Sequence, residues 1–401
     1  MVPELTPLLR RGVVEIIVEE ELVKLLKSGK PLRLKQGFDP SRPDIHLGHV
    51  VGLNKLRQFQ QLGHQVVLIV GDWTAQIGDP SGKSATRQML SAEEVRANAE
   101  TYMQQFFRVV DKKKTEVRWQ SEWFGDFTLR DVINLTSKFT VAQMLAREDF
   151  SKRYASGHPI AITEFLYPLL TAYDSVVVKS DVEFGGVDQK FNCLVGRELQ
   201  QMMGQRPQQV FLMPLLVGTD GSQKMSKSLD NYIGVDEPPQ EMCGKVMSLP
   251  DDLIMPYFEL VTNVPDEELS GLKKQLDAQS VNPMILKKRL AREITTQFHD
   301  AEAALKAETH FETVFQRRNV PEDIPVHPLP LISPSGTIPF KVLEAVLVEA
   351  KLVKSHGEAK RLLTQQAIEI DGQKIEGDTA TIHDGSVIKV GKRRFLRLVK
   401  E

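Results

Sequence analysis

Between residues 32 and 71 the hydrophobic period of the chain switches twice. Leu32–Phe38 reads as a short strand. After the turn Asp39-Pro40-Ser41, the apolar residues Val50, Leu53, Leu56, Phe59 and Leu62 recur at helical spacing. They predict an amphipathic helix over about His46–Leu62, ended by Gly63. Gln65–Gly71 (QVVLIVG) is a continuous apolar run of buried-strand length. Asp181–Phe184 and Gln209–Met213 repeat the strand signal, and Val117–Gln120 and Val176–Val178 carry weaker versions of it. Short apolar strands alternating with helices predict an α/β fold with a doubly wound, Rossmann-like parallel sheet. Ligands on such sheets sit at the carboxyl ends of the strands.

From about Pro238 to Val320 the pattern becomes helical, with Leu and Met at helical spacing among Lys and Glu. Residues 321–339 hold six prolines and read as an extended linker. The expected layout is therefore a Rossmann-like domain over 1–234, a helical domain over 235–320, a linker over 321–339 and a small α+β module over 340–401. In the module, Ser355-x-x-Glu358 is a capping box for a helix carrying Lys360 and Arg361. Asp371-Gly372 and Asp384-Gly385 mark turns between short strands. Lys389–Lys400 holds six basic residues and no acid, with Phe395 among them. Lys389, Lys392, Arg393, Arg394 and Arg397, with Lys360 and Arg361, are the candidate RNA-phosphate surface.

Composition narrows this picture. The 401 residues carry a formal charge of −2, so any nucleic-acid surface is local. Two cysteines, Cys193 and Cys243, exclude a disulfide scaffold and a cysteine zinc site, and fit a reducing compartment. The first residues place acids inside their apolar run, unlike a signal peptide. No stretch reaches the ~18 uninterrupted apolar residues of a membrane span. The expectation is a cytoplasmic protein without membrane contact.

Five stretches carry candidate chemistry. In "DIHLGHV" (44–50), His46 and His49 share one face of the first helical turn, where amide N–H groups and the helix dipole favour anions. Gly48 between them bares the backbone. A metal reading lacks a third ligand. "GDPSGKSATR" (78–87) falls one residue short of a P-loop, yet sets Lys83 and Arg87 beside a glycine turn and offers Asp79 to an amine. In "EFLYPLLTAYD" (164–174), Tyr167, Thr171 and Asp174 lie on one helical face. In "EFGGVDQKFN" (183–192), Asp188 and Gln189 follow a strand and a double-glycine turn, a position suited to a ribose hydroxyl. "GSQKMSKSLDN" (221–231) puts Lys224 and Lys227 in a run of Gly, Ser and Gln. Taken singly, each also fits an ordinary solvated turn or helix edge.

Taken together, HLGH followed far downstream by KMSKS, with GDPSGK, YPLLTAYD and GGVDQKFN between, resembles the tyrosyl-tRNA synthetases of bacterial type over nearly the whole chain. The resemblance implies activation of L-tyrosine by ATP, presented with Mg2+, and transfer to tRNA(Tyr) by a homodimer with no tightly bound protein metal. It implies that His46, His49, Lys83, Arg87, Lys224 and Lys227 act on the phosphates. Asp39, Ser41, Gly48, Gly186, Asp188, Met225, Ser226 and Ser228 would complete the ATP site. Asp79, Tyr167, Thr171 and Gln189 would hold the tyrosine backbone end, and Asp174 its phenol. It makes 235–320 the anticodon-side domain and 340–401 the RNA-binding module. The apolar stretch 139–150 is the expected dimer contact. Thr171 stands where many members have glutamine, Lys35 where many have tyrosine, and Gln36 where some have cysteine; Lys35-Gln36 resembles a second bacterial branch. Tryptophanyl-tRNA synthetases share the scaffold but lack this basic tail. Nucleotidylyltransferases share the HxGH helix but lack the KMSKS loop. A non-catalytic RNA-binding descendant would not need all four of His46, His49, Lys224 and Lys227.

Overall fold

The computed structural model describes residues 5–41, 43–81, 90–313, 324–330, 336–375, 378–391 and 394–400. The chain divides into two compact units, Met1–Ala304 and Leu305–Glu401.

The first unit is built on a six-stranded sheet of β1 (Glu15–Ile17), β2 (Arg33–Phe38), β3 (Gln65–Val70), β4 (Thr115–Trp119), β5 (Val182–Gly186) and β6 (Gln209–Met213). Its order is β1-β6-β5-β2-β3-β4, parallel except for the edge strand β1, which runs antiparallel to β6. The chain winds outward from β2 through β3 to β4, then returns to lay β5 on the other side of β2. The β2/β5 border is thus the switch point at which such sheets open a cleft. β6 is buried at every position and β3 at all but its first, as continuous apolar runs covered on both faces must be. The helix Leu47–Gln61 buries Val50, Leu53, Leu56 and Phe59 completely against the sheet, and Phe59 meets Phe184 and Phe211 edge-on at 5.3 and 5.8 Å. Gly63, at φ +91°, follows its end.

Two strand expectations change. Val176–Val178 is not a strand: it closes the helix Ile162–Val177, with Val178 as C-cap. Its β-branched residues pack against Leu135, Leu169, Leu199 and Trp123, so tertiary burial overrides local propensity. β1, only three residues long, gave no sequence signal. The stretch 139–150 forms the short helix Val141–Leu145 and the start of Glu148–Ala155. The helices Pro239–Met247, Ile254–Val261, Asp266–Asp277 and Pro283–Phe298 fall within this first unit. Arg11 ties them to the N-terminal segment by donating to the carbonyls of Phe258, Glu259, Thr262 and Val264. Among the described residues no helix is long and apolar enough to cross a membrane.

The second unit contains β7 (Val326–Pro328), β8 (Thr337–Pro339), β9 (Ile368–Ile370), β10 (Gln373–Lys374), β11 (Thr379–Thr381), β12 (Val387–Val390) and β13 (Arg394–Val399). The sheet β10-β9-β12-β13-β7 and the pair β11-β8 enclose a core of Ile338, Leu343, Leu347, Ile388, Val390, Leu396 and Leu398 with two helices, Phe340–Glu349 and His356–Thr364. β7 and β8 lie inside the proline-rich stretch 321–339 and pair with β13 and β11, so those parts of it are sheet edges, a place where proline is tolerated. Ser355 Oγ caps its helix by accepting from Glu358 N, while the Glu358 carboxylate accepts from Lys354 N. Asp371 and Gly372 take φ of +52° and +81° in the turn between β9 and β10, the geometry of a tight hairpin. Phe395, which lies among the basic residues in sequence, is buried against Ile324.

Candidate active site

The segments that follow β2, β3, β5 and β6 converge at the carboxyl edge of the sheet around one cavity of about 580 Å³. Asp39, Ser41, His46, Gly48 and His49 line it after β2; Asp79 and Ser81 after β3; Gly186, Asp188 and Gln189 after β5; and Lys224 to Ser228 after β6. Tyr167, Thr171 and Asp174 reach it from the Ile162–Val177 helix. Lys83 and Arg87, together with Lys392 and Arg393 of the module, lie outside the described residues.

The open end is a helix start with two histidines. His46 is the N-cap: its Nδ1 accepts from Gly48 N at 3.1 Å, and His49 Nδ1 accepts from His46 N at 3.2 Å. Both Nδ1 atoms are therefore acceptors, which leaves Nε2 as the N–H donor of each neutral ring. The rings lie 4.0 Å apart. Burial, then Lys227, pushes His49 down to about 3. Burial, then His49, Lys227 and Lys224, pushes His46 down as well. Two neutral donors thus face the cavity at neutral pH. Gly48 is required for this fold-back, because a Cβ there would sit 2.9 Å from the His46 ring.

The loop after β6 arches over the same end. Met225 is buried and donates its N–H to Leu216 O at 2.7 Å, while Asn231 Oδ1 holds Ser226 N at 2.7 Å. Lys224 Nζ reaches Asp188 Oδ2 at 2.9 Å. Lys227 Nζ donates to the carbonyls of Pro43 and Asp44 and lies 5.1 Å over the Tyr102 ring. These partners are one exposed and one partly buried carbonyl, a ring face and a half-buried carboxylate, which phosphate oxygens can replace at little cost.

The middle of the cavity is a closed polar ring. Asp79 Oδ2 accepts from Gln189 Nε2 at 2.7 Å, and Gln189 Oε1 accepts from Asn192 Nδ2 at 2.9 Å. Asn192 Oδ1 accepts from Arg147 Nη1 at 3.2 Å, and Arg147 Nη2 donates to Ser81 Oγ at 2.6 Å. Ser81 N returns to Asp79 Oδ1 at 2.8 Å, and Arg147 lies 3.8 Å from Asp79. Asp149 fixes Arg147 from outside at 2.8 Å. Tyr167 OH donates to Asp39 Oδ2 at 2.8 Å, whose other oxygen accepts from Thr74 Oγ1 at 2.7 Å. Burial, then Asp39 and Asp79, raises the Tyr167 phenol, so it stays a donor. Thr171 Oγ1 turns back to the carbonyls of Tyr167 and Pro168.

The closed end is a buried carboxylate. Asp174 is 2% exposed and accepts from Gln120 Nε2 at 2.9 Å and Trp123 Nε1 at 3.2 Å. Burial pushes it up to about 7 against the pull of Lys35. Gln36, also buried, leaves its Oε1 without a hydrogen-bond partner. Sequence reasoning missed Gln120, Trp123, Arg147 and Asn192. They lie in three separate segments; tertiary structure brings Gln120 and Asn192 to the cavity wall and sets Trp123 and Arg147 behind it, on Asp174 and on Asn192 and Ser81.

In the second unit Lys360 and Arg361 are exposed on their helix. Lys389 pairs with Glu369 at 3.0 Å and Arg394 with Glu358 at 3.1 Å, so these two charges are shared with acids.

Residues 27–316 match the family described as tRNA synthetases class I (W and Y). A tyrosine–tRNA ligase of Dehalococcoides mccartyi (strain CBDB1) is 62% identical over 99% of this chain and 98% of its own. One from Carboxydothermus hydrogenoformans is 52% identical over 98% and 97%. A C-terminally truncated mitochondrial tyrosyl-tRNA synthetase of Aspergillus nidulans shares the fold at a TM-score of 0.64 and 22% identity, covering 77% of this chain and 93% of that one. The Archaeoglobus fulgidus tyrosyl-tRNA synthetase, solved with L-tyrosine, gives 0.62 at 23% identity, covering 77% and 100%. A strand-end cavity carrying both signature segments, on a chain this close to its relatives along their whole length, means that it belongs to the tyrosine–tRNA ligase family of class I and joins tyrosine to tRNA at the expense of ATP.

Proposed function

We propose a division of labour within the cavity, with the phenol of L-tyrosine at the Asp174 end and ATP, as its Mg2+ complex, at the histidine and loop end. The ion travels with the triphosphate as part of the substrate. Asp79 and Tyr167 receive the ammonium group of tyrosine, Gln189 steadies Asp79, and Asp188 and Gly186 take the ribose. Asp39 and Ser41 flank the nucleotide.

The tyrosine carboxylate is already an anion, so no general base is needed. One carboxylate oxygen attacks the α-phosphorus, the bond from that phosphorus to pyrophosphate breaks, and tyrosyl-adenylate forms. The Nε2–H groups of His46 and His49 and the ammonium groups of Lys224 and Lys227 stabilise the charge that builds on the phosphate oxygens; Lys83 and Arg87 are assigned the same task. Catalysis is then positioning plus electrostatic stabilisation. In the second step a hydroxyl of the 3′-terminal ribose of tRNA(Tyr) attacks the tyrosyl carbonyl carbon and AMP leaves.

The observation that carries this reading is the tautomer of the two histidines. Capping consumes both Nδ1 atoms and leaves two neutral donors at a helix N-terminus, facing two loop lysines across one cavity. Pyrophosphate exchange with each of the twenty amino acids and MgATP tests it. Exchange with tyrosine alone, reduced in His46→Ala without a change in tyrosine KM, is the expected result. Exchange with tryptophan instead would overturn the pocket assignment.

Two copies of the chain are assigned to act together. Successive helices leave the apolar side chains of Leu129, Ile133, Val141, Tyr154 and Ile162 between 55% and 81% exposed, which supports contact between copies there. Lys360 and Arg361, with Arg397 and the shared Lys389 and Arg394, are assigned to tRNA phosphates. Lys392 and Arg393 are assigned there from sequence.

A further inference from the structure

Lys35 is a charge buried without an obvious ligand. It sits on β2 at 1% exposure and lines the closed end of the cavity beside Asp174. All three of its N–H bonds are spent on protein. They go to Glu183 Oε1 at 2.7 Å, Ser175 Oγ at 2.8 Å and Thr171 O at 2.8 Å. Glu183 is its register partner on the neighbouring strand β5, and Glu183 Oε2 is held in turn by Gln208 and Ser175. Lys35 therefore donates nothing to a bound molecule. Its contacts clamp the helical turn 171–175 to the sheet at the β2/β5 switch point, and that turn carries Asp174.

Asp174 needs such a neighbour. Its own partners, Gln120 and Trp123, are neutral donors. A carboxylate this buried takes up a proton unless a cation is near. Of the charged groups that act on it, Lys35 from β2 favours the anion and Glu183 from β5 opposes it, with the Lys35 effect the larger. Cys193, from the following helix, is a thiol that burial keeps protonated. Protonation of Asp174 would change recognition. The anion demands a donor from the ligand, which the tyrosine hydroxyl supplies and phenylalanine does not. The neutral acid carries its own O–H and makes no such demand.

We infer that Lys35 is a positioning residue for phenol recognition, holding the orientation of Asp174 and favouring its anion over the neutral acid. This rests on Asp174 as the group that reads the phenol. Lys35 and Glu183 then form a tuning pair, and removing either member moves the ionisation of Asp174 in opposite directions.

The test is the tyrosine KM of the full chain in pyrophosphate exchange, at saturating MgATP, from pH 5.5 to 8.5. Tyrosine KM falls as pH rises through the ionisation of Asp174. Lys35→Met moves that midpoint up and Glu183→Gln moves it down. A one-unit upward move costs about tenfold in the ionised fraction at a pH well below the midpoint. If Lys35→Met does not fold, the charge-balanced double variant Lys35→Met/Glu183→Gln carries the test, and its midpoint stays above that of the unsubstituted chain. Asp174→Asn abolishes the pH dependence. A dependence that survives Asp174→Asn overturns the phenol assignment and this inference with it. A dependence that Asp174→Asn removes, but that the two single variants move the same way or not at all, overturns the inference alone. So does a double-variant midpoint at or below that of the unsubstituted chain.

Discussion

At the closed end of the cavity, Lys35, Glu183, Asp174, Gln120 and Trp123 hang on strands, a long helix and the turn after β4, joined by hydrogen bonds of 2.7 to 3.2 Å. At the open end, Lys224 and Lys227 ride on a loop of Gly, Ser and Gln and rest on acceptors that a substrate can displace. The first arrangement suits a fixed, flat group whose position cannot vary. The second suits a polyanion whose charge shifts as bonds change. Rigid burial serves selection, and displaceable cations serve the transition state.

The sharpest break would come from Lys227→Ala. Loss of one preorganised charge donor lowers the exchange kcat by about a hundredfold or more. Tyrosine KM hardly moves, as measured by tyrosine-dependent pyrophosphate exchange. Because burial pushes His49 down to about 3 and holds His46 well below its usual value, both stay neutral as pH rises above 6. The kcat of the unsubstituted chain therefore shows no histidine ionisation between pH 6 and 9.

Asp174→Asn comes next and acts at the other end. The substitution removes the buried anion that phenylalanine leaves without its hydroxyl donor, a penalty of about 1–3 kcal/mol, or roughly 5- to 150-fold in selectivity. The preference for tyrosine over phenylalanine falls by that factor, read from the two kcat/KM values. A site built to hydrogen-bond a hydroxyl rejects the analogue that lacks it without an editing step, because its buried polar groups are then left unpaired.

Arg147→Ala sharpens the comparison from the middle. It opens the ring that fixes Asp79 through Ser81, Asn192 and Gln189, and raises tyrosine KM by about tenfold with little change in the KM for MgATP. Arg147→Lys recovers only part, since an ammonium cannot span Asn192, Ser81 and Asp149 as the planar guanidinium does. The smallest effect lies in the second unit. Lys360→Glu with Arg361→Glu raises the tRNA KM several-fold and lowers the salt slope of tRNA binding by roughly one to two, leaving exchange unchanged.

The two ends also differed in how far the sequence revealed them. The open end is made of contiguous stretches, so HLGH and KMSKS each display their chemistry in a few neighbouring residues. The sheet was legible for the same reason, because QVVLIV at 65–70 and QVFLM at 209–213 are local apolar runs. The closed end is assembled from residues 35, 120, 123, 174 and 183, and no local pattern joins a glutamine after β4 to an aspartate on a later helix. Val176–Val178 misled because β-branched residues at a helix end follow packing rather than propensity. Phe395 faces inward on β13, a placement that its basic sequence neighbours do not reveal. Arg147 was present in the apolar stretch 139–150, but its partners at 81, 149 and 192 appear only in three dimensions.

The most direct test of this division is single-turnover formation of aminoacyl-adenylate from tyrosine and from phenylalanine, in the unsubstituted chain, Asp174→Asn and Lys227→Ala. The account predicts that Lys227→Ala slows both amino acids by the same factor and leaves their ratio intact, while Asp174→Asn collapses the ratio. If Lys227→Ala changes the ratio, or Asp174→Asn slows both alike, the two ends do not divide the work and the account fails.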